Sequence, residues 1–85
     1  MPTISMFFGV VIRMYYDDHN PPHFHAYFGN HKAMFDFDGN LTQGNFPQKQ
    51  FKLIQAWTLL HKDELLANWE LSRNNEQLFL INPLK

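Results

Sequence analysis

Apolar and polar residues alternate along the first half of the chain, as they do in β-strands that bury one face. Residues 9–16 are rich in β-branched and aromatic side chains, and residues 17–22 contain two consecutive prolines, so the sequence predicts a strand followed by a loop. In the second half, apolar residues recur at helical spacing from Pro47 onward. This stripe changes phase near residues 61–63, which predicts one broken helix or two helices ending near Asn74.

A tight hairpin is predicted around Gly29 and Asn30, because both residue types tolerate the positive φ angles of two-residue turns. The strands that it joins are residues 23–28 and 31–37, and alternate residues of each strand share a face. One face carries the apolar members: Phe24, Ala26, Phe28, Ala33, Phe35 and Phe37. The other face carries His23, His25, Tyr27, Lys32, Met34 and Asp36, and Asp38 continues it beyond the second strand.

These elements predict an α+β fold. We expect a small antiparallel sheet of three to four strands, with the C-terminal helices packed on the face that carries Phe24 and Phe35. The 85 residues are enough for one modest core, so residues 1–85 are expected to form a single domain. Nine Phe, two Trp and three Tyr residues make that core rich in aromatic rings. The other face of the sheet stays open to solvent.

Composition excludes several classes of site and partner. Cysteine is absent, so the chain has neither disulfides nor thiolate metal ligands. A net charge of −1 with scattered Lys and Arg residues makes nucleic acid an unfavoured partner, although it stays open as one. Residues 1–5 lack the features of a secretory signal, and no stretch has the roughly 20 apolar residues that a membrane span needs. We therefore expect a cytoplasmic protein with no membrane association.

Histidine is the clearest concentration of chemistry in the chain, since four of the five histidines lie within residues 19–31. The spacing of His23 and His25 places both rings on one side of a strand. His19 in the preceding loop offers a third ring nitrogen. Because the hairpin register sets Asp36 directly opposite His23, the four residues together predict a metal site.

The oxygen ligand of such a site has more than one candidate. Asp36 is the first choice, and Asp17 or Asp18 in the loop are alternatives, either as ligands or as hydrogen-bond partners of the ligands. Histidine and carboxylate donors suit divalent zinc, nickel, manganese or iron, and the sequence does not choose among them. The competing interpretation is structural: the histidines cover the solvent side of the sheet, and His23 pairs with Asp36.

The same histidines also fit chemistry without a metal. His23 and His25 would act as general acid and base, and Arg13 or Lys32 would stabilise an anionic transition state, as in a phosphodiesterase that cleaves RNA. Two function classes follow. The favoured one is a protein-interaction or regulatory module whose open sheet face engages a protein partner or a second copy of the chain. The alternative is a metal- or histidine-dependent phosphodiesterase or ribonuclease that uses the cluster of His19, His23 and His25.

Three stretches of the chain carry a family resemblance. They are residues 2–5, residues 12–26 with their His-Phe-His-Ala run, and residues 61–71. Together they resemble the small bacterial family labelled domain of unknown function 4160, over nearly the whole chain. The resemblance implies a stand-alone cytoplasmic protein of unknown activity, often encoded beside another small protein as in toxin–antitoxin pairs. Members commonly carry an acidic residue where this chain has Tyr27, so a ligand from that position is not available here.

Overall fold

A five-stranded antiparallel sheet followed by two helices makes up the protein between residues 2 and 84, the range that this computed structural model describes. The strands lie side by side in chain order. The fold class is α+β as predicted, with five strands where three to four are expected from the sequence. The elements are β1 (Thr3–Phe7), β2 (Val10–Arg13), β3 (His23–Phe28), β4 (His31–Asp36), β5 (Leu41–Gly44), α1 (Gln48–Leu60) and α2 (Lys62–Arg73).

The central hairpin has the register that the sequence predicts. His23 pairs with Asp36 and Phe24 pairs with Phe35 across β3 and β4. Gly29, which has a φ angle of +56°, lies in the turn between the two strands. The register sends the apolar members of both strands to one face and His23 and His25 to the other, as period-two alternation requires.

The core lies between one face of the sheet and the two helices. Phe24 and Phe35 stack with ring centroids 5.6 Å apart, and Trp57 of α1 meets Phe24 edge-on at 5.7 Å. Leu65 of α2 joins these rings, and all four side chains are fully buried. Trp57 Nε1 also donates a 2.9 Å hydrogen bond to the carbonyl of Asn82, which fixes the C-terminal segment against the core. The helices therefore cover the Phe24/Phe35 face, as predicted.

The two helices are separated by a single residue, His61. Its φ angle of −120° departs from helical values, although its backbone N–H still bonds to the carbonyl of Trp57 at 3.0 Å. Its ring Nδ1 lies 2.6 Å from Glu64 Oε1. The change of phase near residues 61–63 is thus a break between two helices. Within residues 2–84, no helix is both long and apolar enough to cross a membrane.

The two edge strands are not predicted by the sequence pattern. β1 joins β2 through Phe8 and Gly9, whose φ angles are +48° and +80°, so Gly9 belongs to a turn rather than to the predicted strand. That strand also ends at Arg13, and residues 14–22, here called the site loop, connect β2 to β3. β5 has three exposed residues out of four and therefore no apolar alternation to detect.

Candidate functional site

Two histidines of β3 converge on one carboxylate of the site loop. The Asp18 Oδ2 atom lies 2.9 Å from His23 Nε2 and 3.2 Å from His25 Nε2. One possible ligand atom from each of the three residues lies within 4.8 Å of the other two. Two ligands of one ion are about 3 Å apart when each bond is about 2.1 Å long, so this spacing suits a shared metal ion.

His23 is held at both ring nitrogens. Nδ1 lies 2.8 Å from the carbonyl oxygen of Pro21, which only accepts, so Nδ1 carries a hydrogen. In the neutral ring, Nε2 then presents a lone pair to the Asp18 carboxylate. That contact is favourable only when a proton or a cation lies at Nε2. A backbone carbonyl bonded to the second nitrogen is also the usual support of a metal-ligating histidine.

Helix α2 holds the site loop in place. Arg73 Nη1 donates a 2.6 Å hydrogen bond to the backbone carbonyl of Asp18. Trp69 packs against the His23 ring with 5.4 Å between centroids, and His23 is only 4% exposed. The loop itself turns at Asp17, where φ is +55°. Helix α2 thus holds both the site loop and the start of β3 in position.

The surroundings shift the pKa values of two of the three groups. Burial acts to raise the pKa of Asp18, but hydrogen bonds from His25 and from the backbone N–H of His19, with the charges of His23 and His25, outweigh it and lower the pKa. For His25, burial lowers the pKa below its usual 6.5 despite the hydrogen bond to Asp18. Near neutral pH, Asp18 is therefore anionic and His25 neutral, the forms that bind a metal ion.

A cleft of about 600 Å³ opens beside the cluster, on the sheet face opposite the helices. Asp18 and His25 lie in its wall together with Tyr15 and Tyr27. The Tyr15 ring meets the His25 ring edge-on at 4.5 Å, and the Tyr15 and Tyr27 hydroxyl groups are hydrogen-bonded to each other. Lys32 contributes a positive charge to the lining. The cleft has the volume typical of a small-ligand site, about 300–1,000 Å³.

Asp36 does not join the cluster, although it lies opposite His23 as predicted. Its Oδ1 accepts 2.9 Å hydrogen bonds from the backbone N–H groups of Asp38 and Asn40, and its Oδ2 accepts one from the Asn40 side chain at 3.1 Å. These bonds turn the carboxylate into the turn between β4 and β5. The carboxylate that lies near both histidines is instead that of Asp18, the alternative in the site loop.

His19 borders the cluster without belonging to the group of three. Its Nδ1 lies 3.1 Å from Asp18 Oδ1, on the other oxygen of the carboxylate. Its ring centroid is 5.5 Å from that of His23, and its side chain is 80% exposed. Asp18 thus has an imidazole near each of its oxygens.

Arg13 lies beside the site and not in the cleft lining. It pairs directly with His25 across β2 and β3, and its guanidinium carbon is 5.5 Å from the centroid of the Tyr27 ring. Among the described residues, its buried Nε atom has no hydrogen-bond partner. Arg13 therefore places a cation over the Tyr27 ring.

Sequence reasoning does not identify the groups that support the site. Tyr15 lies in the predicted first strand without a role, and Trp69 and Arg73 are distant in the chain. A period-two pattern carries no information on contacts between β3 and α2. The only sequence signal for Asp18 is the double proline that follows it, which ends the strand and turns the chain back toward β3.

Comparison with known proteins adds a family to this geometry. No match is found among curated proteins or among solved structures. The model of a domain of unknown function, DUF4160, matches residues 9–70. This range contains Asp18, His23 and His25 and spans well over half of the chain. The chain therefore belongs to the DUF4160 family.

Proposed function

We propose that this protein binds a divalent transition metal at Asp18, His23 and His25 and hydrolyses a phosphodiester in the adjacent cleft. The observation that carries the proposal is the convergence of two imidazoles and one carboxylate, all within 4.8 Å, with Asp18 and His25 in the wall of a 600 Å³ cleft. Two histidines and one carboxylate leave coordination positions for water and substrate. Zinc, nickel, manganese and iron all fit this donor set. A metal ion bound there would activate water and offset negative charge.

The protein groups around the cluster have separate roles in this proposal. Asp18, His23 and His25 are the ligands, and His19 is close enough to Asp18 to offer a further nitrogen. Lys32 in the cleft attracts the phosphate group of the substrate. Arg13 does not contact the substrate; its guanidinium group lies over the Tyr27 ring and positions that ring.

The geometry supports a metal-dependent mechanism over a histidine-only one. In the histidine-only mechanism, His23 and His25 exchange protons with the substrate. His23 is 4% exposed and has both ring nitrogens within hydrogen-bond distance of other groups, so it is poorly placed for that exchange. His25 does line the cleft, with Asp18 as its partner. Only one of the two proposed acid–base groups therefore faces the substrate.

Calorimetric titration of chelator-treated protein with Zn²⁺, Ni²⁺ and Mn²⁺ tests the metal centre. We expect one ion to bind with a Kd below about 1 μM, which corresponds to about 8 kcal/mol. Asp18→Asn should weaken binding by roughly 10-fold to 100-fold or more, since it removes a ligand charge. The matched control is Asp36→Asn, which makes the same change in a carboxylate outside the cluster and should bind like the wild type. Micromolar or weaker binding by the wild type, or equal losses in both variants, contradicts the proposal.

The hydrolytic step is tested with a fluorescent single-stranded RNA. Metal-loaded wild-type protein and Asp36→Asn should cleave it, whereas Asp18→Asn should not. Cleavage that survives in Asp18→Asn and in the presence of chelator contradicts a metal-dependent mechanism. Cleavage that depends on His25 but not on a metal supports the histidine-only alternative instead.

We also propose that a second protein regulates this one, in a bacterial cytoplasm and in the manner of a toxin–antitoxin pair. Two observations support an interaction surface. β5 is an edge strand whose outer side pairs with no other strand of residues 2–84, and edge strands accept added strands. Leu59 and Leu60 at the end of α1 are 62% and 70% exposed. Co-expression with the protein encoded beside it should give a stable complex with reduced cleavage, while a homodimer would appear in sedimentation of the protein alone.

A further inference from the structure

All three tyrosines of the chain line the same cleft. Tyr15 and Tyr16 enter it from the site loop, and Tyr27 enters it from the central strand β3. Tyr16 is 40% exposed, so its ring surface is accessible to a ligand. Met34 adds an apolar side chain to the floor. The wall of the cleft therefore contains three phenol rings, which are amphipathic.

The charges of the lining set what else the ligand must carry. Lys32 is the one lysine or arginine in the lining, which also contains the carboxylates of Asp17 and Asp18. Without a cation on Asp18, a phosphate group would meet more negative than positive charge there. A metal ion at Asp18, His23 and His25 reverses that balance. Gln43 at the far side offers both a donor and an acceptor for a polar ring edge.

We infer that the cleft binds an unpaired nucleotide, with its base against the tyrosines and its phosphate toward Lys32 and the metal centre. The position of the phosphate in this inference rests on the proposed function. The inference adds the substrate class of that site. A base in a duplex is stacked on both sides, so only an unpaired base can lie against a tyrosine ring. An open sheet face with aromatic side chains and helices behind it suits this mode of binding.

The ligand makes few phosphate contacts. Lys32 lines the cleft and the proposed metal ion would lie beside it, so together they can neutralise about two phosphates. For single strands, the logarithm of the binding constant falls by about 0.7 per neutralised phosphate for each tenfold rise in salt. We expect a slope no steeper than about −1.4 for binding to this cleft. This shallow slope fits the net charge of −1 and separates the proposed mode from binding along a nucleic-acid backbone.

The test uses the full chain loaded with Zn²⁺ and a fluorescein-labelled hexanucleotide whose phosphorothioate linkages resist hydrolysis. Fluorescence anisotropy should show binding of the single strand and at least about tenfold weaker binding of the same sequence when it is held as a duplex in the stem of a hairpin. Removal of the metal by a chelator should weaken single-strand binding. Competition with free mononucleotide separates the two sources of this chemistry. A mononucleotide that competes as well as the unlabelled hexamer identifies a free nucleotide as the ligand, and a hexamer that competes better identifies a single strand.

Substitution of Tyr16 tests the aromatic wall directly. Tyr16→Ala should weaken binding by roughly 5-fold to 150-fold, the range that corresponds to one stacked base, and Tyr16→Phe should retain it. Phe79→Ala is the matched control, because Phe79 is 39% exposed and does not line the cleft. Zinc affinity, measured by calorimetry, should be the same in all three variants.

The outcomes distinguish this inference from the proposed function. Tight zinc binding with no nucleotide binding, or with equal binding of duplex and single strand, overturns the inference and leaves the metal centre standing. Single-strand binding that is lost in Tyr16→Ala but unaffected by chelation supports the base site and contradicts the metal-dependent phosphate end. Equal effects of Tyr16→Ala and Phe79→Ala overturn the assignment of the base to this wall.

Discussion

The two faces of the sheet are made from alternate residues of the same strands, but they differ in what fixes their side chains. On the helix-covered face, Phe24 and Phe35 are enclosed by other rings and have one possible arrangement. On the open face, His25 and Tyr27 are held by a few hydrogen bonds and one cation–π contact, and they stay partly exposed. The first face fixes the backbone, and the second uses that fixed backbone to hold groups that can bind a ligand.

This difference explains where the cluster lies. His23 is at the first position of β3, where the open face meets the edge of the core at Trp69. It is therefore buried like a core residue while its Nε2 faces Asp18. His25, two residues further along, reaches the cleft. One proposed ligand is rigid and the other is accessible, a combination that suits a site which must keep its geometry while a substrate enters.

The largest expected effect is a difference in stability between substitutions at neighbouring positions of β4, one on each face of the sheet. Phe35→Ala should lower the free energy of unfolding by about 3–5 kcal/mol, because it leaves a cavity among stacked rings. Met34→Ala, one residue away on the half-exposed face, should cost about 1 kcal/mol or less. Urea denaturation followed by circular dichroism measures both values. Similar losses in the two variants would show that the open face contributes to stability as the core does.

A smaller effect is expected at Asp36, whose carboxylate stabilises the turn after β4. Asp36→Ala should cost about 1–2 kcal/mol, and Asp36→Asn less, since the amide oxygen still accepts hydrogen bonds. Burial acts to raise the pKa of Asp36, but the hydrogen bonds from Asn40 and Asp38 outweigh it and lower the pKa below its usual 3.8. The stabilisation is therefore complete above pH 3.8 and is lost as the pH falls through the lowered value.

Denaturation of wild type and Asp36→Ala at two pH values checks this sign. The difference in unfolding free energy should be largest near neutral pH and should shrink once the pH falls below 3.8. A difference that is the same at acidic and neutral pH would mean that the charge of the carboxylate has no part in the turn.

The smallest expected effect concerns the hydroxyl pair in the cleft. Burial, the hydrogen bond to Tyr15 and the charge of Tyr15 raise the pKa of Tyr27 to about 12. Tyr15→Phe removes two of these three causes, so the pKa of Tyr27 should fall toward 10, while stability changes by about 1 kcal/mol or less. Ultraviolet titration of the tyrosines gives the pKa, and Tyr16→Phe is the control. No shift in Tyr15→Phe would assign the raised pKa to burial alone.

The sequence is informative about the hairpin and much less so about its neighbours. The register of β3 and β4 follows from a two-residue turn and period-two alternation, both visible in the chain. β5 has no such pattern. Three of its four residues are exposed, so neither face of this edge strand requires apolar residues. β1 pairs only with β2 in the sheet, and its turn at Phe8 and Gly9 falls inside the segment assigned to a strand.

The candidate site shows a comparable division. Strand spacing correctly places His23 and His25 together, and the register correctly places Asp36 opposite His23. Proximity in a ladder does not decide which atoms a side chain reaches, however. The residues after Asp36 form a turn, and a short carboxylate bonds to the backbone of its own turn when one is available. Trp69 and Arg73 support the site from a separate helix, and no local pattern encodes that contact.

The hydrogen bond from Arg73 to the carbonyl of Asp18 joins residues that are 55 positions apart. All three proposed ligands leave the ribosome long before the last turn of α2. A nascent chain therefore contains the donor atoms before the hydrogen bond from Arg73 can hold the site loop in place. The geometry of the site becomes complete only after Arg73 has been synthesised, so products truncated before that residue lack it.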